Sequence, residues 1–325
     1  FVLGLNYHDL EIDENGGVKN ANGDITVHND LTITASGPTF NMKTHDLTVT
    51  GNFLMSNGIF SGDEGTGNSH TITGNFTLEA GNFNAESSSY DVDGNLTLNG
   101  GTYTASSSTL NLAGNWDDSG GSFTGGTGTV TMSASSSAIK AGKDNKFNNL
   151  IVSGTDTINS DFAVEIGGDL TVSGTLTVVP GDTLSFTGTG STHTIDGNLT
   201  VNTSSAVNSI LDFTLSTNNT VVVDNGGILT LDGTDATGRA YLIGDDDSEI
   251  DLTFPSSGTN NGKFVGDHFT ISYPVTAGIK INSDAAHEIE YGVFKNPKSF
   301  GVLLNFESAG NLPQTIDSCS FIGVA

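Results

Sequence analysis

Three columns of residues recur along the chain at a fixed step, and this repeat constrains the fold more than any other property of the sequence. Gly51-Asn52-Phe53, Gly74-Asn75-Phe76, Gly94-Asn95-Leu96 and Gly114-Asn115-Trp116 superpose with spacings of 74 − 51 = 23, 94 − 74 = 20 and 114 − 94 = 20. Ile72, Val92 and Leu112 keep the same step, as do Phe60, Phe83, Tyr103 and Phe123. A unit of about 20 residues holding three short strands cannot bury its apolar face alone, so it must stack on copies of itself.

Within one unit, Val92-Asp93-Gly94-Asn95-Leu96-Thr97-Leu98 alternates so that Val92, Leu96 and Leu98 face one way, with Gly94-Asn95 at a corner. The glycine serves that corner through a positive φ or through close backbone approach. Asn52, Asn75, Asn95 and Asn115 are placed either for an amide ladder between successive coils or as solvent-exposed turn residues. With 43 Gly among 325 residues, and Lys, Arg, Met and Gln scarce, the chain has few helix formers and belongs to the all-β class.

The repeat changes along the chain. Gly168-Asp169-Leu170-Thr171-Val172 and Gly197-Asn198-Leu199-Thr200-Val201 continue the corner motif, and Ser133 to Lys146 reads as a looped-out coil. Beyond Gly238, Ile289-Glu290-Tyr291-Gly292-Val293-Phe294 aligns with Ile316-Asp317-Ser318-Cys319-Ser320-Phe321 at a step of 316 − 289 = 27. This last segment resembles the parallel β-helix repeats of pectate-lyase-like proteins. The Gly-Asn-Leu-Thr texture before it resembles large secreted adhesin-like or surface solenoids of bacteria and archaea. The fold so implied is a single right-handed parallel β-helix (β-solenoid) over residues 1–325, of roughly 13–15 coils at roughly 20 to 27 residues each. Its sub-blocks are 1–140, 141–238 and 239–325.

Charge narrows the partners. Ten basic residues against 37 acidic ones give a formal net charge of −27, which repels nucleic acid and anionic lipid and suits a soluble outer surface that attracts cations. No apolar run approaches the roughly 20 residues of a membrane span, so no membrane insertion is expected. The one cysteine, Cys319, allows no intrachain disulfide and reads as a small packed residue rather than a nucleophile. These features suit an extracellular or cell-surface protein held together by packing and hydrogen bonds.

Pectate-lyase-like enzymes use an Arg or Lys base beside metal-binding carboxylates, or clustered Asp with a Gly-His-Gly. Here the only arginine is Arg239, no Gly-His-Gly occurs, the nearest text is Gly266-Asp267-His268, and Asp117-Asp118 lacks basic company. No enzyme activity and no catalytic residue are expected. No cofactor is expected either, with Ca²⁺ held open: Asp245, Asp246, Asp247 and Glu249 are the candidate oxygen ligands, against an exposed acidic loop as the plainer reading. His70 and His193 share a repeat position and read as outward structural side chains.

A solenoid needs a polar cap at each end to stop its open coil from pairing with another chain. The sequence begins with Phe1, Val2, Leu3 and Leu5 and finishes with Phe321, Ile322 and Val324, with no amphipathic helix to cover either set. These residues are the candidate subunit interface of a head-to-tail homopolymer, by coil stacking or by strand donation. The expected function is therefore a structural building block of a cell-surface filament, stalk or layer. An adhesin segment binding cell-surface glycans or neighbouring cells is the alternative, and a polysaccharide lyase or hydrolase ranks last.

Overall fold

The computed structural model describes the chain except residues 1, 14–16, 35–36, 38, 64, 66, 245–249, 256–260, 273–278, 282–286, 296–303, 307–314 and 323–325. Its strands follow one another in a fixed cycle through three parallel sheets, and no helix occurs among the described residues. At three strands to a turn, the 42 described strands make 42 / 3 = 14 turns of a β-solenoid, within the expected range. The turns fall into two compact units, Phe1–Leu150 and Ile151–Ala325.

In the first unit the sequence columns are the sheet register. Ile72 pairs with Val92 and Val92 with Leu112 in the first sheet. Phe53, Phe76, Leu96 and Trp116 are successive partners in the second. Phe60, Phe83, Tyr103 and Phe123 are successive partners in the third. All of these side chains are buried. The three-residue strand Phe76–Leu78 of the second sheet buries its first and third residues and turns the middle one outward, whereas Asn82–Asn84 of the third buries the middle one, both as a two-residue period requires.

Ring geometry follows from that register. Phe53 stacks on Phe76 at 5.0 Å and 4°, and Phe60 on Phe83 at 4.6 Å and 3°. The two stacks meet edge to face, with Phe76 and Phe83 at 4.8 Å and 89°. Each ring thus has both favourable aromatic arrangements at once.

The corners use two different devices. Between the first and second sheets, Gly51, Gly74, Gly94 and Gly114 do not adopt a left-handed φ. A Cβ on Gly94 would instead meet the carbonyl oxygen of Gly74, so close backbone approach is the reason for glycine there. Between the second and third sheets, Gly58, Gly81 and Gly101 turn the chain with φ of 83°, 88° and 69°. Between the third and first, Glu86, Ser106 and Gly126 take the left-handed position at φ of 58°, 51° and 58°.

Two expectations are corrected. The stretch Ser133 to Lys146 is a regular turn, because Ile139 in Ser137–Lys140 and Phe147 in Lys146–Phe147 fill the core columns. Ile139 pairs with Trp116, and Lys146 with Thr124. The two later corner motifs are also not equivalent: Leu170–Val172 lies in the first sheet and Asn198–Asn202 in the second, so the same five-residue texture serves two corners.

In the second unit the turns lengthen. Along the second sheet Leu199 pairs with Leu176 (199 − 176 = 23), Leu229 with Leu199 (229 − 199 = 30) and Phe264 with Leu229 (264 − 229 = 35). The added residues lie in the connections, and the strands stay in register. Ile289 pairs with Ile316 and Phe294 with Phe321, as the 27-residue step predicts. Phe186 and Phe213 continue the aromatic stacking at 4.2 Å and 13°.

Candidate functional site

Polar side chains join one turn to the next. At the Gly-Asn corner the amide ladder is present. The side-chain Oδ1 of Asn52 accepts the backbone N–H of Asn75 at 3.0 Å, Asn75 that of Asn95 at 2.9 Å, and Asn95 that of Asn115 at 2.8 Å. Asp9 and Asp30 lead into this run, accepting the N–H groups of Asp30 at 3.3 Å and Asn52 at 2.7 Å, and Asn115 extends it to Ala138 at 2.8 Å. The asparagines are exposed, so both sequence readings of them hold together: they sit at the surface and still join consecutive turns.

Polar groups inside the core do the same work. His70, His193 and His287 are each about 1% exposed, which corrects the outward reading of the first two. The alternation of Ser69-His70-Thr71-Ile72 puts His70 on the face of Ile72, and Thr192-His193-Thr194-Ile195 does so for His193. In all three the ring Nδ1 accepts a backbone N–H from the preceding turn: Leu47 at 3.1 Å, Leu170 at 3.2 Å and Phe264 at 3.1 Å. Burial holds each imidazole down at a pKa of about 4 and therefore neutral. His287 sits outside the Gly-Asn repeats, and its reach to Phe264 is not legible without the register.

Asp63 is a second buried group that the sequence does not announce. Its carboxylate accepts the N–H groups of Gly65 and Gly67, the latter at 3.1 Å, and the hydroxyls of Ser87 at 2.7 Å and Ser88 at 3.1 Å. These bonds outweigh burial and keep its pKa below the usual carboxylate value. Asp63→Ala leaves four donors without that acceptor. It is expected to cost about 1–3 kcal/mol and to speed amide exchange at Gly65 and Gly67, as measured by denaturant titration and hydrogen exchange.

Asp118 is buried too and accepts the N–H of Gly142 at 2.6 Å. Burial pushes its carboxyl up to about 6, so its contribution to stability grows as pH falls through that value. Its neighbour Asp117 lies 4.0 Å from the Lys140 ammonium, so the pair has the basic company that sequence order hides.

Arg239 acts on the backbone. Its guanidinium donates to the carbonyls of Phe269 and Tyr291, the second at 2.7 Å, and its Nε to Thr270 Oγ1 at 3.1 Å, tying residues of successive turns. His268 stacks on Tyr291 at 4.4 Å and lies 2.6 Å from Asp267. Cys319 is half-buried with its thiol 3.3 Å from the Asp317 carbonyl, and burial raises its pKa.

The candidate metal ligands Asp245, Asp246, Asp247 and Glu249 lie outside the described residues, as do Phe1 and Val324 of the candidate interface. Among the described residues no group of three or more His, Cys, Asp or Glu side chains is arranged to hold a metal ion. Val2 is buried and bridges to Ala21, whereas Leu3 and Leu5 are 55% and 52% exposed, and Phe321 and Ile322 are 51% and 50% exposed. Val2, Leu3, Tyr7, Leu10, Glu11, Ile12, Asp13 and Lys19 line an open basin over the first turn, part apolar and part charged. Compared with protein-family models, curated proteins and solved structures, the chain matches none.

Proposed function

We propose that this chain is a structural β-solenoid of the cell exterior, the subunit of a cell-surface filament, stalk or layer joined head to tail. The observation that carries the reading is that the polar and aromatic side chains of the core are committed to stacking one turn on the next in register. Phe321 stacks on Phe294 at 5.0 Å and 6°, yet is half exposed. Leu3, Leu5 and Val18 are exposed as well, and Leu3 lines the basin of the first turn. A contact between exposed Phe321 of one copy and exposed Leu3 and Leu5 of another is heterologous, and such a contact propagates.

Other features support a scaffold rather than a catalyst. The single arginine gives its guanidinium to backbone carbonyls and a threonine hydroxyl, and the three buried histidines accept backbone N–H groups. A net charge of −27 over a surface of Thr, Ser and Asn suits solubility outside a cell.

Electron microscopy and sedimentation velocity of the purified chain test the proposal. Fibres and concentration-dependent association are expected, both abolished by Leu5→Asp with Phe321→Asp in a chain that still folds. Loss of the fibres in chelator adds a divalent cation to the joint. A monomer at every concentration overturns the assembly reading in favour of an adhesin segment.

A further inference from the structure

The same contact occurs three times in the core: a buried histidine stands where a strand's first inward residue needs an acceptor for its N–H. Leu47 is the register partner of His70, and its N–H goes to the imidazole Nδ1 rather than to a carbonyl. Leu170 with His193 and Phe264 with His287 repeat this, each across 23 residues. With Nδ1 accepting, the ring proton sits on Nε2, which for His70 lies 3.1 Å from the Gly62 carbonyl.

We infer that His70, His193 and His287 form an acid-release device, in which protonation at Nδ1 removes the acceptor of the preceding turn's N–H and loosens adjacent turns at those three places. A protonated imidazole has two donors and no acceptor, so it faces the backbone N–H with a hydrogen of its own. The buried rings are packed against aromatic neighbours. His193 lies against Phe186 at 4.3 Å and Phe213 at 5.8 Å, His70 against Tyr90 at 4.8 Å and Phe60 at 6.2 Å, and His287 against Phe254 at 5.5 Å.

The charges facing each ring differ. Asp46 and Asp63 face His70 and favour its protonation, Asp169 does the same for His193, and Lys263 opposes it at His287. In every case desolvation is the largest influence, and the folded value near 4 lies below the free value of 6.5. The folded state therefore holds fewer protons than the unfolded one. The stability each neutral histidine contributes is complete above about pH 6.5 and is lost as pH falls toward 4. Asp118 runs the other way in the first unit, so a whole-chain acid titration mixes opposite contributions.

The fold contains its own non-titrating counterpart. Buried Asn145 accepts the N–H of Phe123 through Oδ1 at 2.9 Å, and buried Asn219 that of Ser191 at 3.0 Å. Amide exchange on the full chain, corrected for intrinsic pH dependence, reads both sets at once. Between pH 7 and 4.5 protection at Leu47, Leu170 and Phe264 is expected to fall about tenfold or more, since each pH unit of differential protonation is tenfold, while Phe123 and Ser191 keep theirs. His193→Asn and His287→Asn, made singly, are expected to abolish the fall at Leu170 and Phe264 respectively. Equal loss at both sets of amides, or undiminished protection at Leu170 and Phe264 in the unaltered chain, overturns the inference; that readout stands even where a variant fails to fold.

Discussion

Phe83→Ala is expected to lower the unfolding free energy by about 3–5 kcal/mol, the range for removing a fully buried phenylalanine. Phe83 is fully buried and touches five rings: it stacks on Phe60 and Tyr103, the latter at 4.9 Å, and meets Phe53, Phe76 and Tyr90 edge-on. The cavity is bounded above and below by turns whose spacing is fixed by strand pairing, so the site collapses poorly and the cost belongs at the upper end. Against a total stability of about 5–15 kcal/mol, this loss endangers the fold. Denaturant titration checks it, with Phe83→Leu expected to retain most of the stability. A loss under about 1 kcal/mol would mean that the two aromatic columns do not carry the core.

Gly94→Ala is the second large effect, because the clash is with backbone. An added Cβ would sit 2.6 Å from the Gly74 carbonyl carbon and 2.8 Å from the Asn75 nitrogen, neither of which can rotate away. The adjacent turns must separate, straining the Asn75 to Asn95 ladder bond of 2.9 Å. The expected cost is at or above the about 1–3 kcal/mol of overpacking a close-packed site. Gly190→Ala is the comparison: Gly190 has φ of 69° and nothing within 4 Å of the added Cβ. It should lose only the left-handed penalty of about 1–2 kcal/mol. A melting loss for Gly94→Ala no larger than that for Gly190→Ala would show that close backbone approach is not what requires glycine at position 94.

The periodic part of this molecule was legible because identical turns leave identical marks. Phe53, Phe76, Leu96 and Trp116 sit at one step in the sequence and in one register in the sheet, since short connections give the chain no room to drift. His70 and His193 share a face with Ile72 and Ile195 by simple alternation, so their inward direction was readable; polarity argued against it, and the acceptor they provide explains why a core position tolerates them. Asp63 and Arg239 were not readable. The donors to Asp63 include Ser87 and Ser88, one turn away, and Arg239 reaches the carbonyl of Tyr291, 52 residues on. Such partners depend on connection lengths that vary from turn to turn. The two Gly-Asn-Leu-Thr-like motifs at Gly168 and Gly197 misled for a related reason: any corner that enters a half-buried strand favours that texture, whichever sheet follows.

The central claim is that successive turns stack in parallel register. Thr77 and Thr97 are outward-facing register partners in the first unit, and Asp117 is the partner of Thr97 one turn further. Spin labels at Thr77→Cys and Thr97→Cys, in a Cys319→Ser background, report that register directly by continuous-wave electron paramagnetic resonance. Strand spacing of about 4.8 Å predicts strong dipolar broadening for this pair and weaker broadening for Thr77→Cys with Asp117→Cys at about twice the distance. Broadening that is absent from the first pair, or no stronger there than in the second, would contradict the solenoid register from which the rest follows.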